Sequence, residues 1–176
     1  HISISDAAGN AASLSVSNGE GSGYVIPGTG IMLNNMLGED DINPHGHQHW
    51  PVDRRLSSMM TPVIGIDGDG SVVALGSGGS NRIRTAILQV LLDVFALGGG
   101  LDSAIDAPRL HVEGEKVSVE PGLPEAVVDA LGVGFDVDRW AEKNMFFGGV
   151  HAVRRDAGGA VSGVADTRRD GAVVTV

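Results

Sequence analysis

Apolar and polar residues alternate in several short stretches of this chain, and most of these stretches end at a glycine-rich turn. Residues 2–6 and 10–18 alternate on either side of the segment DAAGN, which predicts a β-hairpin. Ile2 and Ile4 are expected on one face of this hairpin, with serines on the other. The same reasoning predicts strands or hairpins in four further segments, at residues 22–28, 62–77, 109–120 and 148–166.

Helical spacing of apolar residues appears in the middle of the chain. Residues 81–97 form the clearest amphipathic pattern, which ends at three consecutive glycines. The apolar positions of this helix are Ile83, Ala86, Ile87, Val90, Leu91 and Val94. Shorter helices are predicted in the segment LDSAIDAP and from Pro124 to Leu131. The predicted order of elements, strands followed by helices and then strands, is typical of an α+β fold. No repeat or change of composition divides residues 1–176, so we expect a single domain.

The segment at residues 38–62 is polar and rich in proline and histidine, and we expect a long surface loop there. It includes HGHQH at 45–49, whose three histidines would bind zinc or nickel if they shared a face. No carboxylate motif accompanies them, which favours solvated loop histidines. The segment IDGDG resembles the start of a calcium loop, but the twelfth position counted from Asp67 is Gly78 rather than glutamate. A hairpin turn is therefore the better interpretation.

Composition narrows the classes of partner. The formal net charge is -10, with 22 acidic and 12 basic residues, which argues against nucleic acid as the main ligand. Arginines occur in pairs beside aspartates, at 54–55, 154–155 and 168–169, a pattern typical of ion pairs or of a small carboxylate ligand. Cysteine is absent, so disulfides and thiolate chemistry are excluded. No apolar run reaches the roughly 18–20 residues of a membrane span.

Two segments carry candidate anion-binding chemistry. GSGGSNRI at 76–83 follows a predicted strand and precedes a predicted helix, where backbone N–H groups and the helix dipole can hold an anion. The alternative is a tight turn in which Ser80 caps the helix. In DRRLSSMMTP at 53–62, Ser57 and Ser58 stand beside two arginines and either bind a carboxylate or satisfy a turn.

Six segments occur in one order along nearly the whole chain: D-x-x-GNAASLSVS, GSGYVIPGTGIMLNN, RRLSSMMTP, GSGGSNRI, AIDAPRLH and ADTRRDGAV. In this order the chain closely resembles the small subunit of gamma-glutamyltranspeptidases, which are N-terminal nucleophile hydrolases. The family markers are a G-I-L-x-N-N, a P-L-S-S-M and a G-S-x-G-x-x-R-I segment. The resemblance implies an αββα sandwich, in which two antiparallel sheets lie between helix layers.

The resemblance also implies a chemistry. Family small subunits begin Thr-Thr-His or Thr-Ser-His, and His1 matches the third residue, so the nucleophilic threonine is expected two residues before His1. The family precursor cleaves itself before that threonine, whose α-amino group then acts as the base. A γ-glutamyl amide such as glutathione would acylate the hydroxyl, and water or an amino acid or peptide would accept the acyl group. No cofactor or metal is implied.

Residues of this chain take the family's binding roles by position. The oxyanion pair maps to Gly79 and Ser80, where the donors are backbone N–H groups. The hydroxyl pair that holds the α-carboxylate maps to Ser57 and Ser58. Asn18, or Ser17 beside it, matches a further substrate contact.

The family binds the substrate's α-amino group with two residues, typically Gln or Glu and, three positions later, Asp. Both residues are replaced here. Met36 and Glu39 stand at those positions. Because a thioether is only a weak acceptor, the candidates to bind the ammonium group are Glu39 or Asp40, with Glu20 as a further one. A related acylase of the cephalosporin type, with another acyl group, and a non-catalytic ligand-binding relative are the alternatives.

The implied partner is the large subunit of the same precursor. This chain alone is expected to be inactive, because the expected nucleophilic threonine lies before His1. That subunit would supply an arginine for the α-carboxylate. The resemblance implies a periplasmic or secreted location in bacteria, with a cytoplasmic one left open.

Overall fold

The computed structural model of the protein describes residues 1–19 and 21–176. This described part contains eleven strands and three α-helices, which confirms the α+β class. The strands are Ile2–Ser5 (β1), Ala11–Leu14 (β2), Gly21–Val25 (β3), Met32–Asn34 (β4), Val63–Ile66 (β5), Val72–Gly78 (β6), Leu110–Glu113 (β7), Lys116–Val119 (β8), Asp136–Arg139 (β9), Gly149–Arg155 (β10) and Val161–Val164 (β11). The helices are Arg82–Leu91 (α1), Leu101–Asp106 (α2) and Glu125–Leu131 (α3).

The chain divides into two compact units. The larger unit consists of His1–Ser15 and Met60–Val176, and the smaller unit consists of Val16–Met59. In the smaller unit β3 and β4 pair antiparallel, and short 3-10 turns follow at 36–38 and 40–42. The prediction that residues 1–176 form one domain stays a prediction.

A four-stranded antiparallel sheet in the order β11-β10-β6-β5 forms the centre of the larger unit. Alternate residues of its two middle strands, such as Leu75 and Ala152, point to one face and pack against α1 and α2. The core residues of α1 have the helical spacing seen in the sequence, and Val90 is completely buried. Leu91 is only partly buried at the edge of this core. Each fully buried Val or Leu contributes about 1.5–3 kcal/mol relative to an exposed one.

The β1–β2 hairpin packs on the opposite face of this sheet. Its hydroxyl face points inward, where Ser13 Oγ donates to the carbonyl oxygen of Leu75 at 2.9 Å. At the start of β1 the ring of His1 lies directly on Gly76, and a Cβ at that glycine would collide with the ring. At the far end of the hairpin Gly9 lies against the Arg155 guanidinium. β1 therefore runs in the same sense as β10 and opposite to β6.

Helices, four-stranded sheet and hairpin form three successive layers of the larger unit. The sandwich implied by the family resemblance has a fourth layer of helices outside the hairpin, and that part of the prediction stays a prediction.

A second sheet, β7-β8-β9, has its own small core. β7 and β8 form the predicted hairpin, and α3 packs on them through Val128. β9 pairs parallel to β8 and was not predicted from the sequence. Three of its four residues are charged, so it lacks the apolar alternation of a half-buried strand.

The remaining sequence predictions concern two hairpins and the three helices. The hairpins at 62–77 and 148–166 and all three helices are confirmed, although α1 continues as one π-helical turn over Leu92–Ala96. The segment TGIMLNNML contains β4, followed by a 3-10 turn. None of the described helices has the length and apolar character needed to cross a membrane.

We expect the isolated chain to self-associate through the outer face of the hairpin. Ile2 and Ile4 are 54% and 55% exposed there, next to exposed Leu14, and a contiguous apolar face of this kind favours association. Light scattering over a range of concentrations should show oligomers for the native chain and a shift toward monomer for Ile2→Thr/Ile4→Thr. Val133→Thr, at a position 89% exposed and outside this face, is the control. A native chain that stays monomeric would contradict the expectation.

Candidate active site

The turn between β6 and α1 places two backbone N–H groups side by side. Gly79 has φ +136° and Ser80 has φ +53°, so both lie in the left-handed region. For Ser80 this conformation costs on the order of 1 kcal/mol. Within the part of the chain that the structure describes, neither N–H donates a hydrogen bond. Both are therefore free to bind an anion at the positive end of the α1 dipole.

The alternative role of Ser80 as a helix cap is wrong. The residue before α1 is Asn81, and its side chain makes no capping hydrogen bond. Asn81 Nδ2 instead donates to Glu113 Oε1 at 2.9 Å. Ser80 contributes its backbone carbonyl, which accepts from the N–H of Ile83 at 3.0 Å.

Close backbone contact explains why this turn contains glycine. A Cβ on Gly79 would lie 3.0 Å from the Cα of Gly148, and a Cβ on Gly148 would lie 2.9 Å from Ser77 Oγ. Ser77 is buried and joins the two segments, because its hydroxyl donates to the Gly78 carbonyl and accepts from the Gly149 N–H, both at 3.1 Å. The turn is thus held against the start of β10 without any intervening side chain.

The start of β1 leads toward this turn. His1 is oriented by the hydroxyls of Ser15 and Ser3, at 2.7 Å from Nδ1 and 2.9 Å from Nε2. Because a strand rises about 3.3 Å per residue, a chain continued two residues before His1 in the same direction would reach the level of Gly78. Gly79 follows immediately, so such an extension of β1 would meet the free N–H groups.

A buried network of two arginines and two carboxylates lies behind the turn. Arg109 Nη2 donates to Asp166 Oδ2 at 2.6 Å. Arg168 donates to Glu120 through Nε at 2.8 Å and Nη2 at 2.6 Å, and its Nη1 also contacts Asp166 Oδ1 at 3.2 Å. All four residues are less than 9% exposed. The aspartate beside the Arg168–Arg169 pair confirms the ion pair expected from the sequence.

Hydrogen bonds to the backbone complete this network. Asp166 accepts from the N–H groups of Val150 and Arg168, each at 2.9 Å. The arginines donate to the carbonyl oxygens of Ile105, Ala107 and Phe147. Burial alone would raise the pKa of Asp166, but the charge of Arg109 and the backbone N–H groups outweigh burial and lower that pKa below its usual value.

The network determines the backbone next to the candidate site. Arg109 Nη1 holds the carbonyl of Phe147 at 3.2 Å, and Asp166 holds the N–H of Val150, so Gly148 and Gly149 are fixed from both sides. No individual role is predicted for these residues from the sequence alone. Three of them stand in the segments AIDAPRLH and ADTRRDGAV, which is the only indication of them in the sequence. The side chains of these segments meet only in the folded chain.

The remaining candidate residues, Ser17, Asn18, Glu39, Ser57 and Ser58, belong to the smaller unit. Glu39 is half-buried, and the other four are exposed loop residues. Ser17 Oγ accepts from the N–H of Gly19 at 3.0 Å. The structure therefore gathers these residues in one unit and leaves their binding roles as predictions.

Asn43 holds the backbone of the segment that contains Met36 and Glu39, the residues that replace the family's ligands for the substrate's α-amino group. Its Nδ2 donates to the carbonyl oxygens of Met36 and Glu39, both at 2.7 Å, and the residue is 7% exposed. Both side chains at the exchanged positions are half-buried. Glu20, the other candidate for the ammonium group, lies outside the described residues.

The structure also describes the two segments that carry metal-like motifs. Among residues 1–19 and 21–176 no cluster of three histidines, aspartates or glutamates is placed to hold a metal ion. His47 Nε2 instead lies 3.0 Å from Asp40 Oδ1. The Asp67 segment is the predicted hairpin turn, since the N–H of Asp67 donates to the Ser71 carbonyl and its carbonyl accepts from the Gly70 N–H.

Comparisons with known proteins agree over the whole chain. A family model described as Gamma-glutamyltranspeptidase matches residues 1–176. The chain is 30% identical over 181 residues to the glutathione hydrolase proenzyme of Bacillus subtilis (strain 168), covering 100% of this chain and 30% of that protein. It is also 30% identical over 179 residues to the Acylase ACY 1 proenzyme of Pseudomonas sp. (strain SE83), covering 100% and 32%.

A solved structure shows the same likeness. Gamma-glutamyltranspeptidase from Pseudomonas nitroreducens, complexed with L-DON, superimposes with a TM-score of 0.78 at 29% identity. The match covers 100% of this chain and 98% of that chain. The chain thus spans about a third of the length of the curated relatives but nearly all of one chain in that structure.

Backbone strain at the turn predicts opposite effects for two substitutions. Ser80→Gly should raise the free energy of unfolding by about 0.5–1 kcal/mol, because glycine adopts the left-handed conformation without a Cβ penalty. Gly79→Ala should lower it by about 2–3 kcal/mol, because the methyl group would meet the backbone of Gly148. Urea denaturation measures both. Gly98→Ala, at φ +71° with open space around it, is the control and should cost less than Gly79→Ala.

Removing one charge from the buried network should destabilise the fold strongly. Asp166→Asn leaves Arg109 without its counter-ion, and losing one partner of a buried pair costs about 3–5 kcal/mol. Asp138→Asn breaks the exposed pair with Lys116 and should cost less than about 1 kcal/mol. Because the pKa of Asp166 is lowered by folding, its contribution is present above about pH 4 and is lost as pH falls further. Equal costs for the two variants at pH 7 would contradict the assigned role.

Proposed function

Because this chain belongs to the gamma-glutamyltranspeptidase family, we propose that it is the small-subunit portion of an amidase that acts on γ-glutamyl amides such as glutathione. The observation that supports this proposal is the pair of free N–H groups at Gly79 and Ser80, at the point toward which β1 leads. The partner is the remainder of the same precursor, since the chain spans about a third of its proenzyme relatives.

The proposed reaction begins with a threonine two residues before His1. Its α-amino group takes the hydroxyl proton while the oxygen forms a bond to the amide carbon, and the carbonyl π electrons move onto the amide oxygen. The N–H groups of Gly79 and Ser80 donate to this oxyanion, an interaction that strengthens in the transition state. Collapse breaks the C–N bond, and the leaving amine takes the proton from the α-ammonium group. Water or an amino acid or peptide then accepts the acyl group by the same steps.

Residues of the smaller unit would bind the substrate. The hydroxyls of Ser57 and Ser58 donate to the α-carboxylate, and the carboxylate of Glu39 accepts from the α-ammonium group. Ser17 or Asn18 contributes a further polar contact. Glu20 is a second candidate for the ammonium group. An arginine of the large subunit completes the carboxylate site.

One observation favours a second candidate function, an acylase with a different acyl group. Met36 occupies a position where the family typically has an amide or a carboxylate, and a thioether is a poor partner for an ammonium group. An ammonium group that is buried without acceptors is costly. The equal identity to an acylase proenzyme, 30%, agrees with this alternative.

The N-terminus of the processed protein and its choice of amide test the proposal together. Mass spectrometry of the full precursor after expression should find a chain that begins with threonine two residues before His1. That protein should hydrolyse a γ-glutamyl anilide. Cleavage of other acyl anilides alone would instead establish the acylase. An unprocessed chain that hydrolyses neither would contradict both and favour a ligand-binding relative.

Truncating the serine pair should act on substrate binding. Ser57→Ala and Ser58→Ala should each raise KM for the γ-glutamyl anilide about tenfold or more, because each removes a hydrogen bond to a charged group worth about 1.5–3 kcal/mol. The rate constant kcat should change less. Ser22→Ala, which removes an exposed hydroxyl bonded to the Leu33 carbonyl in the same unit, is the control. Unchanged KM in both variants would contradict the carboxylate role.

A further inference from the structure

The side chain of Arg169 passes over Gly149 and reaches the turn at Gly79. It directly follows Arg168 of the buried network, and a Cβ on Gly149 would lie 2.8 Å from its side-chain stem. The guanidinium ends beside the turn. Nη1 lies 3.7 Å from the Cβ position of Gly78, and Nη2 lies 3.3 Å from that of Gly79. Three residues without side chains therefore make room for one arginine.

The charge of this guanidinium is not neutralised by the surrounding chain. Nη2 donates to the carbonyl oxygen of Met145 at 3.1 Å, and Nε is buried without an acceptor. In the described residues no carboxylate oxygen lies within 4 Å of it. The nearby carboxylate of Asp166 is already bound by Arg109 and Arg168. Arg169 thus differs from Arg168, whose charge is matched on both sides.

A second cation and the helix dipole add to the positive potential at the turn. Arg82, in the first turn of α1, donates from Nε to the Phe146 carbonyl at 3.1 Å and lies over the Phe146 ring. Burial, followed by the charge of Arg82, lowers the pKa of Arg169. An anion at the turn would relieve this unfavourable arrangement of like charges.

The guanidinium lies on the side of the sheet that the hairpin covers. Gly76 and Gly78 are two residues apart on β6 and so face the same side. His1 occupies that side at Gly76, and Arg169 occupies it at Gly78. Arg169 also lines a cavity of about 380 Å³ beside His1, Ser3 and His151. The cation is therefore next to open space, at the level that an extended β1 would reach.

We propose that Arg169 supplies a fixed positive charge that stabilises the oxyanion formed at Gly79 and Ser80. This role rests on the proposed amidase function. The bond from the nucleophile to the amide carbon creates the negative charge on the amide oxygen, and the bond is broken again when the tetrahedral intermediate collapses. Arg169 keeps its proton throughout. Because the substrate amide is neutral, the interaction is stronger in the transition state than in the ground state and acts on kcat.

Three variants of the processed full-length protein separate charge from packing. Arg169→Met keeps a long apolar stem across Gly149 and removes the charge, whereas Arg169→Lys keeps both stem and charge. Arg84→Met removes an exposed charge two residues beyond Arg82 and controls for net charge. We expect kcat to fall about 10- to 100-fold in Arg169→Met with KM within about twofold, below the 10²–10³-fold loss of a direct oxyanion donor. Arg169→Lys should stay within about fivefold of the native rate, and Arg84→Met should be unchanged.

A second readout uses a boronic acid that becomes a tetrahedral anion on the nucleophile. Its affinity should fall in Arg169→Met by about the same factor as kcat, and Arg169→Lys should restore it. The melting temperatures of both variants should stay close to the native value. Equal losses in the Lys and Met variants, or a raised KM with native kcat, would overturn the proposal.

The two proposals fail in distinguishable ways. A native enzyme that cleaves another acyl anilide but no γ-glutamyl anilide overturns the proposed substrate, and the Arg169 variants are then measured with the amide that is cleaved. A native enzyme that cleaves no amide overturns both proposals. Full activity of Arg169→Met on the cleaved amide overturns the role of Arg169 alone.

Discussion

The buried ion network of Arg109, Glu120, Asp166 and Arg168 is the constraint on which the larger unit depends. Its two positive and two negative charges balance, and each carboxylate accepts hydrogen bonds from backbone N–H groups as well as from arginine. Removing charges from water is costly, and the complete set of partners offsets that cost. The network thereby joins α2, β8, β10 and the segment that follows β11.

The site is a consequence of this constraint. Since the network fixes the backbone on both sides of Gly148 and Gly149, β10 begins at a defined position against Gly79. Ser77 adds the remaining link. A turn held in this way keeps its N–H groups in the left-handed conformation without partners of their own. Such donors need no rearrangement when charge develops in front of them, which is the condition for electrostatic catalysis.

Much of the fold could be predicted from the sequence, because local patterns determine it. The hairpins have alternating residues and glycine turns, and α1 has helical spacing and a glycine stop. The parallel strand β9 could not be predicted, since only Val137 of its four residues is apolar and its pairing with β8 is set by tertiary contacts. For the turn at 76–83 the sequence predicts either an anion-binding site or a helix cap. Its backbone angles and free N–H groups then distinguish the two.

The supporting residues of the site could not be predicted. Charged residues are usually exposed, and Asp166 and Arg168 lie far from Arg109 and Glu120 in the chain. Their burial appears only when α2, β8 and β10 meet. The reach of Arg169 across Gly149 is likewise a property of the folded backbone. In the smaller unit, the polar loop at 38–62 contains few local patterns, and Asn43 was not recognised as the residue that holds Met36 and Glu39.

A crystal structure of the processed protein with a tetrahedral boronate adduct would test the central claim most directly. The account predicts one adduct oxygen within about 3.1 Å of the backbone nitrogens of both Gly79 and Ser80. The adduct itself should be carried by the residue two positions before His1. An adduct oxygen directed away from the turn, or an adduct on a different residue, would contradict the account.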